Sequence, residues 1–190
     1  MRLPLFPLEL FLLPGGISKL RIFEPRYLRL VSIASAESKG FVLCQPKLNI
    51  NDKFEIGVHC IIDDFEQLED GMLGITIRAT KRVSLTDISQ ADDKLFSALA
   101  TELPAWPVEP AEDQQDGLSD KLKQVLSLHS LYNEYPASID YQDENWVVSR
   151  WLELLPFSIK AKNQILHEED FSNLKSLVHQ LVSDITIETD

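Results

Sequence analysis

Two acidic clusters and one histidine–cysteine pair are the side chains of this chain best suited to chemistry. Asp63 and Asp64 are adjacent, three carboxylates fill positions 168–170, and His59 precedes Cys60. Neighbouring carboxylates can act as general acid and base, and a histidine beside a cysteine can bind a metal or activate a thiol. However, His59 and Cys60 lie in a predicted strand, where neighbours point to opposite faces. The acidic clusters fit a strand end and a helix start, where negative charge is favoured, so we predict no catalytic residue.

Motifs for nucleotide, metal and nucleophile chemistry are missing from the sequence. The seven glycines form neither a G-x-x-x-x-G-K-[ST] nor a G-x-G-x-x-G loop, so we predict no ATP site. The four histidines and two cysteines form no H-x-x-x-H or C-x-x-C spacing, so we predict no metal and no other cofactor. No G-x-S-x-G elbow occurs. A nucleophile and a base that meet only in space stay open as an alternative.

The charge of the chain makes nucleic acid an unfavourable partner. It has 30 acidic and 18 basic residues, and the resulting net charge of −12 repels phosphate. One segment combines cations with aromatic rings, as single-strand binders do: Lys19, Arg21, Arg26 and Arg29 with Phe23 and Tyr27. Because Glu24 lies among them, we interpret the segment as an intramolecular Glu24–arginine pair with Phe23 and Tyr27 in the core.

Neither a membrane span nor a signal peptide is indicated. No window approaches about 18 apolar residues, and Pro4, Pro7 and Glu9 interrupt the apolar amino terminus. Two cysteines are too few for a disulfide framework. We therefore expect a cytoplasmic protein with no membrane partner.

The first hundred residues have the pattern of a β-rich lobe. The amino terminus is interpreted as a strand, 41–46 begins with a short apolar run, and apolar residues alternate with polar ones in three further segments: 19–23, 54–63 and 73–85. Asp70 and Gly71 mark a tight turn between the last two. One helix interrupts the strands, with Glu24 and Pro25 suited to its start and Gly40 to its end. Short strands punctuated in this way favour a small barrel or sandwich.

The second half of the chain has a different pattern. Residues 104–117 include three prolines and four acids but no basic residue, which is typical of a linker. Apolar residues then recur at helical spacing in four segments: 118–135, 144–155, 159–167 and 171–185. We therefore predict an α+β fold, with a β-rich lobe at 1–103, a linker at 104–117 and an α-helical bundle at 118–190.

The segment LPLFPLELFLLPGGISKLRIFEPRYLRLV at 3–31 resembles the start of the amino-terminal substrate-binding domain of the ATP-dependent protease Lon. It has an LPL-x-P-L run, a proline before glycine, and LRIFEPRY where the family has L-x-I-F-E-x-R-Y. Residues 54–85 and 152–181 are similar to later parts of that domain. The departures are Ala79-Thr80 at a usual glycine, Val83 at a usual phenylalanine and Asn163-Gln164 at a usual Lys-Gln.

The resemblance implies a PUA-like pseudo-barrel lobe followed by a helical bundle. It also implies a non-catalytic recognition module whose partner is an unfolded or partly folded polypeptide, or a folded protein. The ATPase and Ser-Lys peptidase modules of full Lon proteases are separate domains that 190 residues do not accommodate, so we expect no enzyme. Two alternatives stay open: a peptide hydrolase of unknown mechanism and, by analogy with related barrels, an RNA-binding module. The oligomeric state is also open.

Four apolar residues are the candidates for polypeptide binding. Phe11, Leu12 and Leu13 precede a Pro-Gly-Gly turn, and Trp106 lies in the proline-rich segment. If exposed, they form an apolar patch of the kind that marks interaction surfaces. The alternative is that the first three are core residues and that Trp106 covers the lobe junction. The groove between the lobes is the expected pocket.

The segment Phe23, Glu24, Pro25, Arg26 and Tyr27 is interpreted as a structural motif. Pro25 presets the first helical turn. The planar guanidinium of Arg26 can satisfy a carboxylate and main-chain carbonyls together, which orients the helix start against the strands.

Overall fold

Six strands and six helices make up the part of the chain that the computed structural model describes, which is 1–36, 39–47, 52–106, 117–128, 130–135 and 139–182. The strands are β1 (Arg2–Pro7), β2 (Ile17–Ile22), β3 (Phe41–Cys44), β4 (Ile56–Gln67), β5 (Leu73–Gln90) and β6 (Phe96–Glu102). The helices are α1 (Pro25–Ala36), α2 (Leu118–Ser127), α3 (Ser130–Glu134), α4 (Glu144–Leu154), α5 (Ile159–His167) and α6 (Phe171–Val182). The predicted α+β fold is confirmed.

The strands form one sheet that closes on itself. Its order is β2-β5-β4-β3-β1-β6, and β5 also pairs with β6, so that five strands form a ring and β2 extends it at one end of β5. The pairing of β1 with β3 is parallel, with Leu5 opposite Val42, and the other described pairings are antiparallel. The 18-residue β5 is long enough to pair with β2 and β4 along its first part and with β6 along its last part.

Two apolar clusters stabilise this arrangement. The smaller one lies within the barrel and includes Leu3, Leu5, Val42 and Val83. The larger one contains residues of β2, β4 and β5 together with residues of all six helices, so it runs through both lobes. The predicted lobe boundaries fall between the end of β6 and the start of α2, and most of the predicted linker, 107–116, lies outside the described residues.

At the start of α1 the predicted Glu24–arginine pair is present, but Arg26 Nε is buried without a hydrogen-bond partner and Phe23 departs from the prediction. Arg26 pairs with Glu24 at 2.7 Å, and Tyr27 stacks on Phe6 with ring centroids 4.1 Å apart. Phe23 was expected in the core, but 64% of its surface is exposed, so that prediction is wrong. Phe23 and Leu28 occupy the two positions of a hydrophobic staple around a helix start. Both side chains lie at the surface. The Glu24–Arg26 pair is itself partly exposed, and such pairs stabilise a fold by little.

Three element boundaries differ from the sequence prediction. β6 was not predicted, because its inward positions Ala98 and Ala100 are buried but alanine is a poor strand former. β5 continues to Gln90 rather than ending at 85. The helix expected at 118–135 is present as α2 and α3, with Leu128 as the C-cap of α2. Among the described helices, none has the length and apolar character needed to cross a membrane.

The two cysteines give a first testable prediction. Cys44 and Cys60 are free thiols, and both are buried. Burial raises the pKa of Cys44 to about 12 and also raises the pKa of Cys60 above its usual range. Since the thiolate is the reactive form, we expect neither cysteine of the native protein to react with a disulfide reagent at mildly alkaline pH. Both should react at once in concentrated guanidinium chloride, and rapid labelling of the native protein would contradict the buried placement.

Candidate functional site

A buried charge pair on α4 joins the helical lobe to the loop before β2. Arg150 is 1% exposed and donates to Glu153 through Nε at 2.7 Å and through Nη2 at 2.7 Å. The same Nη2 donates to the main-chain carbonyl of Leu13 at 3.0 Å and of Pro14 at 3.2 Å. Glu153 Oε1 accepts the Leu13 N–H at 2.6 Å. The pair therefore binds both the donor and the acceptor groups of the loop main chain.

The environment of this pair makes its two members depend on each other. Burial raises the pKa of Glu153, and the Arg150 cation, its hydrogen bonds and the Leu13 N–H oppose that rise. Removing one partner of a buried pair leaves an uncompensated charge, which is far more costly than losing the pair as a whole. The pair thus adds to the main-chain hydrogen bonds that join Gly15 and Gly16 to Ala79 of β5, and its contribution requires both side chains.

A second polar contact joins β5 to the segment between α5 and α6. The Arg82 guanidinium lies 4.0 Å from the ring centroid of Trp106, a cation–π distance. It also donates to the carbonyls of Leu166 at 2.9 Å, Glu168 at 2.8 Å and Pro104 at 3.1 Å. Trp106 Nε1 donates to the same Glu168 carbonyl at 2.7 Å. Arg82 and Trp106 are therefore fixed as one unit against the helical lobe.

A cavity of about 390 Å³ lies between these two contacts, and we call it the tryptophan cleft. Its lining includes Pro14, Gly15, Arg82, Trp106, Asn145 and Trp146. The barrel supplies one wall and the start of α4 supplies the other. The cleft thus lies at the lobe junction, where the sequence led us to expect a pocket.

Two residues that line the tryptophan cleft have a buried polar atom without a hydrogen-bond partner, Trp146 Nε1 and Asn145 Oδ1, and so does Arg150 (Nη1), which does not line it. Asn145 Nδ2 donates to the Trp106 carbonyl at 3.2 Å, which assigns the remaining amide oxygen as the unpaired acceptor. Tyr132 and Tyr141 pack edge-on against the Trp146 ring with centroids 6.2 and 5.4 Å away, so the indole is held in place. The one donor and one acceptor on lining residues are the complement of a peptide group, which offers a carbonyl and an N–H.

The predicted binding residues have different positions relative to this cleft. Trp106 lines it, although its side chain is only 6% exposed. Phe11, Leu12 and Leu13 are 5%, 4% and 0% exposed and belong to the larger core, so they form no exposed apolar patch. They lie there because the loop after β1 packs inward beneath α4. Their role in binding polypeptide stays a prediction, and it would require the lobe junction to open.

Several residues of the site were missed from sequence. Arg82, Asn145, Trp146, Arg150 and Glu153 carried no motif, and the residues at 23–27 that did carry one do not line the cleft. One signal was present in the pattern of α4. All seven residues from 146 to 152 are buried, and Arg150 is among them. A charged residue in a buried run requires a buried partner.

Gly15 provides a test of how tightly the loop fits against α4. Its φ of 86° lies in the left-handed region, and a Cβ there would lie 2.9 Å from Trp146 Cδ1 and 3.1 Å from Arg150 Nη1. Gly71 has a similar φ of 80° with no atom within 4 Å of its Cβ position, so it is a matched control. We expect Gly71→Ala to cost about 1 kcal/mol of unfolding free energy from backbone strain alone. Gly15→Ala should cost about 1–3 kcal/mol more, because overpacking adds to the strain. Denaturant titration measures both values, and equal losses would show that the fit is loose.

Comparison with known proteins places this architecture in a family. The family model of the ATP-dependent protease La (LON) substrate-binding domain matches residues 2–184. A crystal structure of a Lon N-terminal domain protein from Xanthomonas campestris is similar, with a TM-score of 0.74 and 26% identity, over 98% of this chain and 99% of that one. The N-terminal domain of the Mycobacterium avium complex Lon protease shares the fold, with a TM-score of 0.67 and 19% identity, over 98% and 100% of the two chains. No curated protein sequence matches. Since the family model covers nearly the whole chain, this protein belongs to the LON substrate-binding domain family.

Proposed function

We propose that this protein is a non-catalytic recognition module that binds polypeptide segments in the tryptophan cleft. The observation that carries the proposal is the set of unpaired donors and acceptor beside a cavity at the lobe junction. Membership in a substrate-binding family supports the same conclusion. The matched domain contains neither a protease nor an ATPase module, which supports a role in recognition rather than cleavage.

The size and walls of the cleft define what it accepts. Its volume of about 390 Å³ is at the small end of ligand pockets, enough for one side chain and a peptide group. Pro14, Pro104, Ala105 and the two indoles supply apolar wall, while the unpaired atoms supply hydrogen bonds. Unfolded chains expose both apolar side chains and free main-chain groups, whereas folded proteins pair theirs. The cleft therefore favours an unfolded or partly folded polypeptide.

The cysteines and the net charge of the chain bear on its location and on the rival functions. A cytoplasmic location agrees with the two free cysteines, since thiols stay reduced in that compartment. Recognition of a folded partner and binding of RNA are the rival functions, and the net charge of −12 opposes the second.

Paired tryptophan variants test the proposal. Trp146→Phe removes the unpaired Nε1 at the cleft, while Trp151→Phe removes an Nε1 that donates to the Leu118 carbonyl at 3.1 Å and lies outside the cleft. Both variants lose the same ring atoms from a buried site. We expect Trp146→Phe to weaken binding of a labelled, reduced and alkylated lactalbumin about fivefold, the value of one hydrogen bond, with little additional loss of stability. Trp151→Phe should lower the unfolding free energy by about 1 kcal/mol more than Trp146→Phe does, and it should leave the affinity for the polypeptide unchanged.

The readouts are fluorescence anisotropy for binding and denaturant titration for stability. An unchanged affinity of Trp146→Phe, or absence of binding by the native protein at high micromolar concentration, would count against the cleft. Cleavage of the polypeptide by the purified chain without ATP would instead establish the hydrolase alternative. A salt-dependent shift with single-stranded RNA would establish the RNA-binding one.

A further inference from the structure

A second cavity, of about 700 Å³, separates α5 from the segments that flank the β3–β4 connection. We call it the lysine groove, and its lining includes Gln45, Lys47, Lys53, Glu55, Lys160 and His167. It shares none of its lining residues with the tryptophan cleft. It is therefore a separate candidate site on the same molecule.

One face of α5 lines this groove. Lys160, Asn163, Gln164 and His167 are spaced at i, i+3, i+4 and i+7, which places them on one side of the helix, and all four line the cavity. Ile165 and Leu166 belong to the larger core. The helix thus buries its apolar side and presents cationic and amide side chains to the groove.

The groove differs in charge from the rest of the protein. Among the described residues, its lining contains three lysines and two carboxylates, whereas the whole chain has a net charge of −12. The lysines are Lys47, Lys53 and Lys160. Lys53 and Lys160 are both exposed, and Glu55 lies beside His167 at 3.6 Å. These two ammonium groups remain available to an anionic ligand.

A buried amide supplies a second and independent indication of a ligand. Gln45 is 6% exposed, and its Nε2 donates to the Leu10 carbonyl at 2.9 Å. Its Oε1 is buried and has no hydrogen-bond donor. An amide oxygen cannot bind a carboxylate or a phosphate oxygen, but it accepts a main-chain N–H. The groove therefore presents cations for carboxylates and an acceptor for a peptide group.

The shape of the groove fits an extended chain. A further cavity of about 620 Å³ is lined by Lys47, Lys53, Phe54 and Glu55 as well, and continues along β5 from Leu85 to Gln90. Since these four residues also line the lysine groove, the two cavities are neighbours. Side by side, they offer room for several residues of an extended polypeptide.

We infer that the lysine groove binds an extended acidic polypeptide segment, with its carboxylates paired to Lys53 and Lys160 and a main-chain N–H donated to Gln45 Oε1. The acidic surface elsewhere repels such a segment, so the groove is where it is attracted. This inference does not depend on the proposed function, because a different cavity and different residues carry it.

Charge-matched variants test the inference. The groove variant, Lys53→Gln with Lys160→Gln, removes two exposed cations from the groove. The control variant, Lys94→Gln with Lys123→Gln, removes two exposed cations outside it. Each double variant makes the net charge of −12 more negative by two. The probes are a labelled peptide of about ten residues in which Glu alternates with Ser, and the same peptide with Gln in place of Glu. We expect the Glu peptide to bind about tenfold more tightly than the Gln peptide, and the groove variant to lose about tenfold in affinity for it. The control variant should stay within about twofold.

Salt and nucleic acid complete the experiment. Raising the salt from about 50 to about 300 mM should weaken binding of the Glu peptide, because the pairs are partly exposed. Equal binding of the two peptides, or equal losses in the two double variants, would overturn the inference in favour of bulk charge. Tighter binding of single-stranded RNA than of the Glu peptide would overturn it in favour of a phosphate site.

The outcomes also separate this site from the tryptophan cleft. Trp146→Phe should leave the Glu peptide affinity unchanged, because this short peptide occupies the lysine groove alone. If the protein does not bind the alkylated polypeptide but does bind the Glu peptide, the lysine groove stands as a site without the tryptophan cleft. If it binds the alkylated polypeptide but not the Glu peptide, the inference about the groove is wrong.

Discussion

The buried Arg150–Glu153 pair fixes how the two lobes meet. An apolar core by itself tolerates small displacements of one element over another, whereas charge-assisted hydrogen bonds require particular atoms at particular distances. Here the pair holds the Leu13 N–H at 2.6 Å and the Leu13 carbonyl at 3.0 Å, so α4 and the loop before β2 have one register. Gly15 and Gly16 follow because a side chain at either position would meet Trp146, Arg150 or Glu153. The polar pair thus decides which apolar surfaces the larger core brings together.

The same constraint accounts for the unpaired atoms of the tryptophan cleft. Trp146 packs against Tyr132, Tyr141 and Gly15 of the loop that Arg150 binds, and in this position its Nε1 has no acceptor. A buried polar group without a partner costs about 1–3 kcal/mol. A site that retains such groups gains part of that free energy when a ligand supplies the partner. The fixed geometry of the lobe junction and the binding capacity that we propose for it are therefore two consequences of one arrangement.

Sequence patterns predicted the elements far better than the sites. The spacing of apolar residues gave α4, α5 and α6 within a few residues, because each helix buries one face whatever its partner is. The alanines of β6 provided no comparable signal, and Phe23 was misassigned because an exposed helix staple and a core ring have the same sequence pattern. The cleft joins Gly15 to residues more than 120 positions away on α4. No local spacing reports such a contact, so only the closed sheet and the packed helices reveal it.

The end of α5 connects the two candidate sites. His167 lines the lysine groove, and the carbonyl of the next residue, Glu168, accepts from both Arg82 and Trp106 at the wall of the tryptophan cleft. The two cavities therefore border adjacent residues of one segment. Under the two proposals, a polypeptide that places an acidic stretch in the groove would have a raised effective concentration at the cleft, so the two sites together would bind it more tightly than either alone. Such a combination would select for chains that are both unfolded and locally acidic, a narrower class than apolar contact alone would define.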